Sequence, residues 1–147
     1  MKQLIMAFAL MGMVGFTSCN CSKKAAKTQT VDVKSLNGAW NVVELNGKAI
    51  QTSENGPFLE LNFAENRLHG KGGCNITNGN FVLSADNASA ISFPAVMTTR
   101  MACPDMATEG AYLKALNEVA AVKSAGKDRY AFVNKAGETL FVVAPRK

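Results

Sequence analysis

Short runs of alternating hydrophobic and polar residues fill most of the chain from residue 39 onward. A period of two is typical of half-buried β-strands, and tight turns separate the runs. Asn46-Gly47 follows the first run directly and is a strong signal for a type I′ hairpin turn. The pattern predicts strands at residues 39–45, 48–50, 58–63, 67–71, 80–84, 88–93, 129–134 and 138–143.

Two features interrupt this series of strands. Residues 72–79 are rich in glycine and asparagine, and we expect them to form an irregular loop. Pro94 follows the strand at 88–93 directly. Because proline cannot donate a hydrogen bond to a neighbouring strand, we expect it to end that strand.

One segment has a helical period instead. Apolar residues recur there at spacings of three and four, directly after Asp105, whose carboxylate favours a helix start. The pattern predicts a helix over residues 105–119 whose buried face carries Met106, Gly110, Leu113 and Leu116. The fold class is therefore α+β and mainly β: an antiparallel sheet or partly closed barrel of seven to eight short strands with one helix packed on it.

The N-terminal residues have the pattern of an export signal. Lys2 precedes an apolar run at residues 4–16, which is too short for the roughly 20 residues that span a bilayer. Thr17-Ser18-Cys19 then resembles the cleavage site of a bacterial lipoprotein. We predict a signal peptide at residues 1–18 and acylation of Cys19, which would anchor the protein to a membrane. The alternative is an ordinary signal peptide that leaves free or disulfide-bonded cysteines.

The predicted lipid would be followed by a tether. Residues 19–34 contain Lys, Ala, Thr and Gln without an apolar period, which is typical of a flexible linker. The globular domain is then expected to occupy residues 35–147.

Charge argues against a nucleic-acid partner. The formal net charge is +5, from 16 Lys and Arg against 11 Asp and Glu. Lys2 belongs to the predicted signal peptide and Lys23, Lys24 and Lys27 belong to the tether, so the domain itself is nearly neutral. Its basic residues are not gathered with aromatic residues, as nucleic-acid binding requires. We expect a monomeric domain that binds neither nucleic acid nor a cofactor.

Two cysteines, Cys74 and Cys103, belong to the predicted domain. An oxidising compartment favours a disulfide between them, which would close a loop of about 30 residues and stabilise the domain by roughly 3.5 kcal/mol. Buried thiols, a nucleophilic thiol with His69 as its base, and a metal site are the alternatives. Cys74, Cys103 and His69 lack the short paired spacings of zinc ligands. We therefore predict no metal site and interpret His69 as an ordinary strand residue.

Residues near these cysteines admit both structural and binding interpretations. No lysine or helix start of a phosphate-binding loop follows Gly72-Gly73, so a tight turn or bulge is expected there. Arg100 is expected to pair with a carboxylate in preference to a bound anion. Methionines are adaptable apolar side chains, and core packing is the expected role of the three that flank Cys103: Met97, Met101 and Met106.

Four groups of residues, taken in order, resemble the META domain, also called the HslJ-like heat-shock lipoprotein domain. No single group is specific, but together they span nearly the whole predicted domain. They are Leu36-x-Gly38-x-Trp40-x-Val42, Gly73-Cys74-Asn75 with Gly79-Asn80-Phe81, Thr99-Arg100-Met101-Ala102-Cys103, and Glu109-x-x-Tyr112-Leu113-x-Ala115-Leu116.

The resemblance implies a compact β-rich fold with one helix, residence in the cell envelope, and in some members a link to stress responses or antibiotic tolerance. It implies no enzyme activity and attaches no catalytic role to the matched positions. Residues 121–123 depart from the family, whose members commonly have an aromatic residue there. The matched positions that we single out as an interaction or structural motif are Gly73, Asn75, Thr99, Arg100 and Met101.

Three functions are consistent with the sequence. The first is a non-catalytic envelope lipoprotein, residing in the outer membrane, that contacts an envelope protein or an apolar ligand. The second is an exported thiol enzyme that uses Cys74 or Cys103. The third is a carrier of a small apolar ligand. The sequence does not choose the partner or the face of the membrane.

Overall fold

A computed structural model of the protein describes residues 30–147. The predicted signal peptide at residues 1–18, the acylated Cys19 and most of the tether lie outside the described residues. No α-helix within the described part is long and apolar enough to cross a membrane.

Nine antiparallel strands form one curled sheet, and one α-helix packs on it. The strands lie in the order β6-β5-β4-β3-β1-β9-β8-β7, and β2 pairs with β1. The elements, in chain order, are a 3₁₀ turn Val33–Leu36, β1 Gly38–Leu45, β2 Lys48–Ala49, β3 Phe58–Asn62, β4 Arg67–Lys71, β5 Ile76–Leu83, β6 Ile91–Thr98, α1 Met106–Glu118, β7 Ala121–Ser124, β8 Tyr130–Val133 and β9 Thr139–Pro145. The mainly β, α+β fold predicted from the sequence is confirmed.

Turn chemistry fixes several of the strand pairs. Asn46 and Gly47 both have positive φ angles, 49° and 76°, as a type I′ turn requires, and Glu44 pairs with Ala49 across it. The strands predicted at 58–63 and 67–71 pair as the β3–β4 hairpin, and those predicted at 129–134 and 138–143 pair as the β8–β9 hairpin.

Two local predictions are wrong. Strand β5 begins at Ile76, inside the segment predicted to be irregular, because its residues pair with β4 on one side and β6 on the other. Strand β6 continues through Pro94 to Thr98. Its pairing with β5 shifts register beside Pro94, and β6 ends the sheet, so the missing N–H leaves no partner unsatisfied.

The sheet closes at one end only, which makes it a partly closed barrel. Ala90, directly before β6, pairs with Ala121, the first residue of β7. The Val122 N–H donates to the Ser89 carbonyl at 2.8 Å, and the Ile91 N–H donates to the Ala120 carbonyl at 3.3 Å. Helix α1 connects the far end of β6 to this seam and packs against β6 and β9.

The folded domain begins about five residues earlier than predicted. Thr30 pairs with Lys123, and the Val33 N–H donates to the Ala88 carbonyl at 3.0 Å. Val31 is buried beside them, so residues 30–34 belong to the domain and not to the tether. The sequence pattern missed this segment because its alternating valines span too few residues to establish a period.

A series of aromatic side chains fills the barrel interior. Phe132 and Phe141 stack with ring centroids 4.6 Å apart, and further ring contacts extend this pair in both directions. Trp40 packs against the core and donates its Nε1–H to the Leu36 carbonyl at 2.8 Å. The members of the series are Phe63, Phe81, Phe93, Phe132, Phe141 and Tyr112.

The helix forms where predicted but buries a different face. Asp105 caps its start by accepting a hydrogen bond from the Thr108 N–H at 3.1 Å. Hydrogen bonding from the Thr108 hydroxyl and then from this N–H lowers the pKa of the Asp105 carboxyl. The buried residues are Glu109, Tyr112, Ala115 and Leu116. Of the predicted face, Leu116 alone is fully buried, whereas Met106 and Gly110 are exposed.

Candidate functional site

Two loops that are distant in the sequence meet at the start of helix α1. One follows β4 and contains Gly73, Cys74 and Asn75, and the other follows β6 and contains Thr99 to Cys103. A disulfide joins Cys74 to Cys103, with Cα atoms 6.1 Å apart. Several states of these cysteines were left open by the sequence, and the structure has them in a disulfide.

Asn75 is the polar centre of this junction and is almost fully buried. Its Oδ1 accepts hydrogen bonds from the Met101 N–H at 2.7 Å and from the Thr99 hydroxyl at 2.8 Å. Its Nδ2 donates to the Met101 carbonyl at 3.2 Å. One side chain therefore holds the second loop in place through three hydrogen bonds.

The same asparagine binds a buried carboxylate of the helix. Glu109 is 3% exposed, and its Oε1 accepts from Asn75 Nδ2 at 2.7 Å while its Oε2 accepts from the Asn75 N–H at 3.1 Å. Within residues 30–147 no basic side chain forms a salt bridge with it. Its position in the first turn also places the carboxylate near the positive end of the helix dipole.

Glycine at positions 72 and 73 allows the first loop to lie directly on the helix. A Cβ added to Gly72 would lie 2.9 Å from Glu109 Cγ and 3.3 Å from Tyr112 Cδ1. Gly73 has a φ of 154°, which residues with a side chain rarely adopt. The predicted turn or bulge is therefore a close approach of backbone to helix, and a side chain at Gly72 would push the two apart.

A groove of about 760 Å³ lies over the disulfide. The disulfide lines it together with five apolar side chains, and Lys71 and Asp105 add one charge of each sign. We call it the disulfide groove. The apolar side chains that line it are Ala49, Ile50, Pro57, Met101 and Pro104.

The five predicted motif residues have three different positions. Gly73 and Met101 line the disulfide groove, whereas Asn75 and Thr99 form the hydrogen-bond network at the junction. Arg100 is exposed and forms no salt bridge with any described residue, so the expected pairing with a carboxylate is not found there.

The prediction that the three methionines pack in the core is wrong. Met97 is 71% exposed, and Met101 and Met106 are each 50% exposed. They lie at the end of β6, in the following loop and at the start of α1, where the chain passes around the disulfide instead of through the interior.

Among the described residues, His69 forms no hydrogen bond with Cys74 or Cys103. Its Nδ1 is 2.8 Å from the Asn78 Oδ1, between the exposed side chains of neighbouring strands. In the described part of the chain, no three His, Cys, Asp or Glu side chains come together as metal ligands would.

The roles of two residues at the junction were not found from the sequence. Glu109 and Tyr112 were noted only as part of the family resemblance, and neither was on the predicted buried face of the helix. The Tyr112 hydroxyl is buried without a hydrogen-bond partner among the described residues, and burial raises the pKa of this hydroxyl above its usual range. The helical spacing of the apolar residues at 112, 115, 116 and 119 could have indicated this buried face. It places position 109 on the same face.

Fold and site together define a partly closed β-barrel domain in which a disulfide and a buried asparagine fix two loops to the helix. The META domain profile matches residues 29–146, and the chain belongs to the META domain family. This is not a known enzyme family. A comparison with curated proteins finds no match.

Solved structures share this fold. An NMR structure of a protein from Burkholderia xenovorans is similar with a TM-score of 0.60 and 21% identity, covering 99% of this chain and 100% of that one. A crystal structure of a DUF4847 family protein from Bacteroides vulgatus has a TM-score of 0.54 and 12% identity, covering 74% of this chain and 92% of that one. At these identities the likeness extends to the fold alone.

The Asn75–Glu109 contact predicts energetic coupling between the two residues. Replacing either by alanine should lower the free energy of unfolding by about 3 kcal/mol, because each change leaves a buried polar group unsatisfied. The double variant should lose at least about 1 kcal/mol less than the sum of the single losses. Urea unfolding of the four proteins in the cycle measures this coupling.

Asn80 provides the control for that cycle, because it is an exposed asparagine on β5, the strand that begins directly after Asn75. Asn80→Ala should change stability by no more than about 0.5 kcal/mol and add independently to Glu109→Ala. Strict additivity of the Asn75 and Glu109 variants would contradict the proposed coupling.

The disulfide predicts a second loss of stability. Its cysteines are 29 residues apart, and a loop of this size stabilises a domain by about 3.5 kcal/mol through the entropy of the unfolded chain. The variant C74A/C103A should show this decrease in urea, and reductant should then leave its stability unchanged while lowering that of the parent protein. A double variant as stable as the oxidised parent would refute the prediction.

Proposed function

We propose that this protein is a membrane-anchored, non-catalytic binding module of the cell envelope and that the disulfide groove is its binding surface. The anchor rests on the apolar run at residues 4–16 and on Cys19 directly after Thr17-Ser18. The envelope location, an outer-membrane residence and a stress-related role rest on this signal and on the family resemblance.

The observation that carries the binding role is the disulfide groove itself. Met101 and Pro104 are exposed on its surface although the domain has a complete aromatic core, and accessible apolar clefts are typical of binding sites. The disulfide and the hydrogen bonds of Asn75 hold the two loops that form one of its walls. A rigid surface loses little conformational entropy when a partner binds.

The position of the groove fits a tethered module. The chain enters the domain at Thr30, beside the seam where β6 begins and where β7 follows the end of helix α1. The groove lies at the opposite end of α1, whose 13 residues span about 20 Å. Covalent geometry limits the eleven residue-to-residue steps from Cys19 to Thr30 to a reach of about 37 Å. A domain held by this segment would present the groove away from its own point of attachment.

The alternatives find less support. A thiol enzyme requires a free thiolate, whereas Cys74 and Cys103 are bonded to each other. A carrier would require interior space for its ligand, whereas large aromatic side chains occupy the barrel interior. An apolar ligand is therefore better placed in the disulfide groove than inside the barrel.

Intact-mass analysis of protein extracted from membranes tests the anchor. The expected mass is that of residues 19–147 plus acyl groups on Cys19, less two hydrogen atoms for the disulfide between Cys74 and Cys103. A Cys19→Ser variant should lack the acyl mass and leave the membrane fraction. A native protein that still begins with Met1 and carries no lipid would refute the anchor.

Site-specific photocrosslinking in intact cells tests the groove. A crosslinking residue at Met101 should capture an envelope protein, and the same adduct should form from Ile50 on the groove. Val82 is the matched control, because it is 55% exposed against 50% for Met101 but lies on β5 away from the groove. An adduct that forms equally from Val82, or no adduct from either groove position, would count against the groove as the binding surface.

A further inference from the structure

The methionines of the domain are distributed unusually. All three methionines of the described residues fall between positions 97 and 106, and each is at least half exposed. Methionine is ordinarily a core residue, and here the core contains none from this part of the chain. Packing therefore does not account for these side chains, and their sulfur atoms are open to reagents in solution.

Their surroundings differ, but all three lie outside the core. Met97 lines a groove of about 590 Å³ together with Asn78 and Asn80 on the neighbouring strand. Met101 lines the disulfide groove, and Met106 begins helix α1. A polar oxygen added to any of these sulfurs would enter water instead of an apolar interior, so the fold would tolerate it.

The disulfide removes the thiols that would otherwise compete with the methionines for an oxidant in this region. Thiolates react with oxidants faster than thioethers, but both cysteines of the described residues are bonded to each other. The methionine thioethers are then the remaining sulfur groups of residues 30–147 that a mild two-electron oxidant attacks. The disulfide thus directs oxidation to the methionines around it.

We propose that Met97, Met101 and Met106 form a site of reversible oxidation by peroxides or hypochlorous acid. A thioether sulfur donates an electron pair to the terminal oxygen of the oxidant, so that an S–O bond forms and the O–O or O–Cl bond breaks. The sulfur is oxidised by two electrons and the oxidant is reduced: hydrogen peroxide leaves as water, with its proton passed to the departing oxygen, whereas hypochlorous acid leaves as chloride and one proton. A methionine sulfoxide reductase, with a dithiol as electron donor, reverses the step.

Oxidation at Met101 regulates the disulfide groove, an effect that rests on the proposed function. The sulfoxide replaces one of the apolar side chains of the groove with a strongly polar group. A partner that buries an apolar segment there would leave this group without a hydrogen-bond partner, which costs binding free energy. Oxidants in the envelope would therefore release the partner without unfolding the domain.

Peptide mass spectrometry of the membrane-extracted protein, treated with increasing hypochlorous acid, tests the site. We expect complete conversion of all three methionines to sulfoxides with no shift in Tm, followed by full restoration with a methionine sulfoxide reductase. The variant M97L/M101L/M106L, in which leucine conserves volume, should keep the Tm and take up no oxygen in this segment. Oxidation much slower than that of free methionine, or a drop in Tm as the sulfoxides form, would overturn the proposal.

The regulatory effect needs a separate measurement. A crosslinking residue at Ile50 leaves all three methionines in place, and its adduct should be lost on oxidation and return after reduction. In the triple leucine variant, oxidation should not change the adduct yield from that variant's own untreated value. An adduct that survives oxidation would overturn the regulation alone. If the untreated protein forms no adduct, the proposed function fails instead, and the oxidation map decides the modification site by itself.

Discussion

The contact between Asn75 and Glu109 is the constraint on which this structure depends. A carboxylate that is removed from water destabilises a fold unless donors replace its hydration. Asn75 supplies two such donors, one from its backbone and one from its side chain, and its remaining acceptor fixes the loop after β6. The helix, this loop and the start of β5 are thereby positioned against one another. The disulfide lies at the edge of this arrangement and closes it covalently.

Local periodicity predicted the architecture well where one face of a strand is buried and the other is exposed to solvent. Turn chemistry added the pairing, as at Asn46-Gly47. The failures have physical causes. Strand β5 begins within a segment rich in glycine and asparagine, because ladders on both sides outweigh weak local propensity. Strand β6 tolerates Pro94 because it is an edge strand. Neither fact is visible without knowing the neighbours of each strand.

The site was predicted unevenly for a similar reason. The family resemblance identified Asn75, Thr99 and Met101, but it did not show that the first of these holds the other two. Glu109 was left off the predicted buried face because helical periodicity assigns charged residues to other faces. Its burial depends on a partner 34 residues away, which no local pattern contains. The exposed methionines were misjudged because hydrophobicity favours burial, whereas the position of a loop is set by the elements that it joins.

The segment from Thr30 to Leu36 has a mechanical consequence for a domain held by its N-terminus. Any pull along the chain reaches first the pairing of Thr30 with Lys123 and the hydrogen bond from Val33 to Ala88. Force is then carried across the seam between β6 and β7, where the barrel is joined by few hydrogen bonds. The loops that the disulfide joins lie at the other end of α1. A pull on the N-terminus therefore acts on the seam of the barrel before it reaches the covalently joined loops.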